Sequence, residues 1–269
     1  MNRRHFLTVS AAAIAAASLP MPLLSQGRPP MITRWNVLES EGYDAIAFLG
    51  ALSGGALYRA TYAADADAFS PKLPAAIRAD ITALTEEADK QGFGLLWPGL
   101  ANLLSYTSIT TLDSVIAVLG DLEARIRSAF LKNPARDEKD WAWVVAHATR
   151  LRAVFIAMRD AGFPAFRRER IGSTIAARIT EVSQGLAGYD VIRWQEKLTG
   201  RSFDPTITVV LMYFSKPHGV SLRGQTFLQA ADYDTATTVR IAAHEMLHPP
   251  FPMEGPVATA AIAALNADP

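Results

Sequence analysis

Three observations predict a mainly α protein with a small β layer, an α+β arrangement. From Tyr43 to about Lys197 apolar residues recur at three- and four-residue steps, the spacing of buried helix stripes. Near Asp204-Pro205 the period changes, and TITVVLMYFS is rich in β-branched and aromatic residues. Helical spacing then returns in ADYDTATTVRIAAHEMLH. At 269 residues, half of them hydrophobic, the chain suffices for one large domain or two small ones with a sizeable core.

The helical segments carry their own start and stop signals. PAAIRADITALTEEADKQG opens on Pro74, suited to a first helical turn, and closes at Gly92. TLDSVIAVLGDLEARIRSAFLKNP reads as one helix through Leu112, Val115, Val118, Leu119, Leu122 and Ile126, stopped by Asn133-Pro134. DEKDWAWVVAHATRLRAVFIAMRDAGF begins with acids that favour a helix N-terminus and ends at Gly162. PAFRRERIGSTIAARITEVSQGLAGY and DVIRWQEKLTG add one or two more. Further on, SKPHG supplies a turn after the first strand. VSLRGQTFLQA then reads as a second strand, antiparallel to the first. Asp234 is placed to cap the last helix, with Val239, Ala242, Ala243, Met246 and Leu247 on its buried side.

The first residues stand apart from the fold. MNRRHFLTVSAAAIAAASLP has a basic pair, then Phe6-Leu7, then an alanine-rich apolar run too short to span a bilayer and broken by Pro20 and Pro22. Arg3, Arg4, His5, Phe6 and Leu7 resemble the signal of the twin-arginine export pathway, which implies that pathway's machinery as a transient partner and a periplasmic or secreted destination. A general-secretion signal or an uncleaved anchor is the plainer reading. Cleavage between Ala17 and Gly27 is expected. Loss of residues 1–27 removes Arg3 and Arg4 and leaves 24 basic against 26 acidic residues. A nearly neutral chain gives no electrostatic reason to expect nucleic acid or an anionic membrane surface as partner, and no stable membrane insertion is expected after signal removal. The absence of cysteine excludes disulfides, thiolate metal ligands and a cysteine nucleophile.

The chemistry-bearing stretch is RIAAHEMLHPPFPMEGP, residues 240–256. On a helix, His244 and His248 sit one turn apart on one face, where two neutral imidazoles can hold one zinc ion. Glu245 lies about 100° round the helix from His244, placed to reach a metal-bound water without ligating. Zinc acidifies such a water and polarises a carbonyl, and a neighbouring carboxylate takes the proton. The bland alternative is two satisfied histidines and a solvated glutamate.

These three residues resemble the HExxH motif of the zincin metallopeptidases, and the resemblance covers about 65 residues from Thr206 onward. It implies His244 and His248 as zinc ligands, Glu245 as general base and acid, a peptide or protein substrate, and an edge strand ahead of the active helix that holds extended substrate backbone. VSLRGQTFLQA occupies that place. The implied organisation is an export signal at 1–27, a helical region at 28–204, and a partial zincin-like strand pair with its active-site helix at 205–269. The third ligand stays open. Where the metzincin pattern has glycine and histidine after the second histidine, this chain has Phe251 and Glu254. Glu254 is one candidate. Asp268, near the spacing of the gluzincin glutamate, is another, and a ligand beyond residue 269 on a longer chain is the third. Glu254 can instead cap a following helix beside Pro256. A competing functional class is a non-catalytic periplasmic helical binding protein with an incomplete metal motif.

Other polar residues carry weaker signals. His147, among apolar neighbours, reads as a satisfied core or interface histidine, and His218 as part of a solvated turn. Tyr213 and Tyr233 are candidate oxyanion donors that no spacing selects. RRER at 167–170 reads as a solvated helical face, and Gly54-Gly55 lacks the ending of a phosphate loop.

Overall fold

The computed structural model describes residues 30–134, 136–172, 174–217 and 219–245. The chain divides into Met1–Met31 and Ile32–Pro269, and every element below belongs to the second unit. Among the described residues it starts with strand β1 (Arg34–Glu39) and continues through ten α-helices. These are α1 (Glu41–Leu52), α2 (Ala56–Phe69), α3 (Ala75–Lys90), α4 (Leu96–Leu104), α5 (Leu112–Leu119), α6 (Ser128–Leu131), α7 (Glu138–Asp160), α8 (Phe163–Ile171), α9 (Thr174–Leu186) and α10 (Val191–Thr199). Strands β2 (Thr206–Met212), β3 (Val220–Leu222) and β4 (Thr226–Ala230) follow, and then helix α11 (Thr235–Glu245). The architecture is mainly α with a small β layer, as the periodicity predicts. No helix among the described residues is long and apolar enough to cross a membrane.

The helix signals act locally as expected, with one exception. Pro74 and Gln91 flank α3, and Gly92 leaves it at φ +80°. Asp137 caps α7 by accepting from Lys139 N at 2.7 Å. The stretch from Thr111 to Pro134 is not one helix. Thr111 and Ser114 form a reciprocal capping box for α5, which ends at Gly120. Chain direction is then reset by a π turn at Glu123–Arg127 before α6. A Cβ on Gly120 would lie 3.1 Å from Arg152 Nε, so the break admits the Arg152 side chain from α7. Arg152 Nε donates to Ile116 O at 3.3 Å there.

The sheet order is β1-β2-β4-β3. Strand β1, which carries no alternation strong enough to announce it, pairs parallel to β2, with Val37 opposite Val209. Strand β4 is also parallel to β2, with Val210 opposite Leu228, while β3 is antiparallel to β4. This corrects the expectation of a single antiparallel strand over Val220–Ala230. The stretch is a hairpin, reversed at Gly224 (φ +66°) and Gln225 (φ +54°). Gln225 tolerates a left-handed backbone because its amide donates to Asp204 O and Thr206 O at 2.6 and 2.9 Å, while its own carbonyl accepts from Thr208 N at 3.0 Å. Arg-Gly-Gln is not among the usual hairpin dipeptides, and so the turn hides inside a β-rich run.

Strand alternation divides β2 between two cores. Ile207, Val209 and Leu211 join Phe227, Val182, Leu186, Ile192 and Ala242 under α9, α10 and α11. Val210 and Met212 join Leu228 and the larger helical core on the other face. At the centre of that core lies α1, buried continuously from Gly42 to Ala51, which explains its lack of a polar face.

One buried carboxylate ties these layers together. Asp44 on α1 is fully buried and accepts from Tyr213 N and Phe214 N at 2.7 and 2.9 Å, just past β2. Arg167 on α8 donates to Asp44 Oδ2 at 2.7 Å and reaches Glu39 Oε2 at the end of β1, also 2.7 Å away. The RRER segment is therefore not a uniformly solvated face. Arg168 and Glu169 are exposed, but Arg167 is buried and Arg170 pairs with Asp65 at 3.0 Å. Burying an unpaired charge is far costlier than burying a satisfied pair.

A second carboxylate fastens the start of β1 to α10. Asp190 accepts from Ile32 N, Thr33 N, Thr33 Oγ1 and Arg193 Nε, at 2.8 to 3.3 Å. Partial burial acts to raise its pKa, but the Thr33, Arg193 and Ile32 donors outweigh it and hold the carboxyl well below the usual carboxylate range.

Two outcomes are expected. Arg167→Met leaves Asp44 without its cation and should lower unfolding free energy by about 3–5 kcal/mol, measured by urea denaturation. A depressed folded-state pKa gives stability that is present above the unfolded value of about 3.9 and lost as pH falls towards the folded one. Asp190→Asn should therefore lower the melting temperature at neutral pH and flatten its decline below about pH 4, read from melting curves across pH.

Candidate metal centre

Helix α11 is set by polar contacts at its start and apolar ones along its length. Asp234 accepts from Thr237 N at 2.6 Å, the N-cap bond expected from the sequence. That backbone donor is the main reason its carboxyl lies below the ordinary range. One turn on, Thr238 is buried, and its hydroxyl receives Gln229 Nε2 of β4 at 2.8 Å while donating to Asp234 O at 3.0 Å. Ala242 follows one turn later in the core, with Val239 and Ala243 half-buried beside it. Near the far end, Ala243 O accepts from Gln195 Nε2 of α10 at 2.8 Å. The helix is thus pinned to β4 at one end and to α10 at the other.

This pinning decides where the motif points. His244 lies two residues beyond buried Ala242, about 200° round the helix, and is exposed. Glu245 is half-buried, and its Oε1 would stand 3.8 Å from a Cβ on Gly219, at the entry to β3. Its carbonyl accepts from Ser221 Oγ at 3.4 Å. The last described turn of α11 therefore rests against the antiparallel edge strand, with the imidazole outward and the carboxylate beside the strand. His248 and Glu254 lie outside the described residues, as do Met246, Leu247, Asp268 and His218. Among the described residues no three His, Asp or Glu side chains gather as a metal-binding group.

The edge that the resemblance assigns to substrate is shorter than the sequence suggests. Strand β4 is paired on both sides, and only Val220–Leu222 forms the rim. On the outer side of β3, Asn102 of α4 donates to Ser221 O at 3.1 Å. Gly219 and Ser221 are the site neighbours that sequence reasoning passed over. Their one signal is a glycine directly ahead of a β-branched residue, too common to select them.

The remaining candidates fall elsewhere. His147 is satisfied within the helical body, between Trp143 O at 2.7 Å and Glu87 Oε2 at 3.0 Å, with its ring stacked on Trp143. Tyr213 follows β2 and lines the cleft at its carboxyl end, and Tyr233 precedes α11. Tyr233 is separated from His244 by a helix about 16 Å long.

Comparison of this chain with family models, with curated proteins and with solved structures finds no match.

Thr238→Val removes the hydroxyl that pairs with buried Gln229 and leaves the amide unsatisfied. It should destabilise the protein by about 1–3 kcal/mol in urea denaturation.

Proposed function

We propose that this protein is an exported zinc-dependent peptidase of the zincin type. The observation that carries the reading is the pair His244-Glu245 on the last described turn of α11, with an exposed imidazole and a neighbouring carboxylate held against the edge strand β3. An accessible imidazole suits zinc as a ligand, the carboxylate beside it suits a base, and neither is wedged in the apolar core. In this reading His244 and His248 hold the metal, and Glu254 or a later carboxylate completes the protein ligands.

Bound zinc supplies an acidified water and a polarised scissile carbonyl. With zinc held there, Glu245 would be the carboxylate placed to take a proton from water and return it to the departing amine, two roles on one group. Half-burial beside Gly219 favours this work, because it limits the directions the carboxylate can take. The substrate backbone would lie along β3, where Val220–Leu222 form the edge of the sheet and half-buried Ser221 is its most accessible residue. Asn102 engages the Ser221 carbonyl on that side, and a carbonyl oxygen has a second lone pair for a substrate N–H. Arg3-Arg4 and the apolar run after them support export to the periplasm or beyond.

The test is zinc content and peptide hydrolysis, measured on the same preparations. Wild type should carry one equivalent of zinc, His244→Ala should lose it, and Glu245→Gln should keep it while hydrolysis falls by about 10²–10⁴-fold. Loss of zinc from Glu245→Gln would make that residue a ligand. Zinc-free wild type with His244→Ala equally stable would favour the non-catalytic binding protein.

A further inference from the structure

A cleft of about 470 Å³ opens at the carboxyl ends of β2 and β4, at the other end of α11 from the HE pair. In sheets with parallel strands, ligands bind in the crevice outside those ends. Ile171 and Ile175 give the cleft an apolar side, and Arg178 and Lys216 line it with charge.

Arg178 is fixed by contacts that do not involve its acidic partner. Arg178 donates from Nε to Ala231 O at 2.6 Å and from Nη2 to Tyr233 O. Lys216 is held through its backbone, whose N–H donates to Tyr62 Oη at 3.0 Å, while that hydroxyl donates to Tyr213 O at 2.6 Å. The counter-ions differ in kind. Arg170, also on the cleft wall, pairs with exposed Glu169 and also with Asp65, which is only 14% exposed. Arg178 and Lys216 instead pair with Glu181 and Asp232, whose side chains are 68% and 65% exposed against 19% and 31% for the cations. Such exposed acids are weakly held, since an ion pair of this kind contributes little.

The geometry points to a binding site for an organic carboxylate with an apolar body, whose carboxylate takes the places of Glu181 and Asp232 on Arg178 and Lys216 while its body packs on Ile171 and Ile175. A guanidinium held by two carbonyls and a neighbouring lysine, each paired with an exposed acid, can receive a carboxylate, and the apolar wall distinguishes a carboxylate with a hydrocarbon body from a bare inorganic anion. The site does not depend on the metal reading of α11.

The test uses the purified full chain, benzoate as probe and inorganic phosphate as comparison, at constant ionic strength, with the melting temperature as readout. Benzoate should raise the melting temperature saturably, and phosphate should not. Lys216→Met should weaken benzoate binding by about tenfold or more. The double variant Glu181→Gln, Asp232→Asn should tighten it by about threefold, because the ligand no longer displaces acids. The proposal is overturned if benzoate has no saturable effect, if phosphate matches it, or if the double variant binds benzoate no more tightly than wild type.

Discussion

The fully buried carboxylate of Asp44 is the constraint on which the arrangement of layers depends. A charge removed from water must be met on all sides, and here the partners come from separated parts of the chain. Arg167 arrives from α8, and the amides of Tyr213 and Phe214 arrive from the turn beyond β2. Through Arg167 the same network reaches Glu39, where β1 ends. Hydrocarbon packing tolerates small slips, but a buried carboxylate with three named donors does not. The strand ends, α1 and α8 are therefore set in one register with each other.

That register places two sites at opposite ends of the last helix. Strand β2 is buried on both faces, so α11 packs on one of them without disturbing the helical body on the other. Gln229 and Thr238 lock the start of α11 to β4, which turns His244 away from the core and brings Glu245 to the rim at β3. At the opposite end, the residues that lead from β4 into α11 carry the carbonyls that hold Arg178. The proposed hydrolytic centre and the proposed carboxylate cleft thus share a support without sharing residues.

Much of the helical layer was legible because its signals are local. Proline at a first turn, an aspartate cap at 137 and glycines at 92 and 162 act within a few residues of themselves. The failures have a common cause. The break at Gly120 exists to admit Arg152 from another helix, and the burial of Arg167 answers an aspartate 123 residues away. The reversal at Gly224-Gln225 is stabilised by carbonyls of Asp204 and Thr206, so the triplet alone gives little warning. Strand β1 owes its existence to pairing with β2 across the whole helical region.

For the candidate centre, spacing alone singled out His244, Glu245 and His248 as an HExxH pattern, since a helix turn is a property of the local chain. Only the tertiary structure decided that the imidazole of His244 faces outward, that Glu245 meets the rim strand near Gly219, and that this rim is three residues long. It also decided which arginines are spent inside the protein and which face a cleft. Orientation and burial depend on what packs against a segment, and for this chain those neighbours come from far along the sequence.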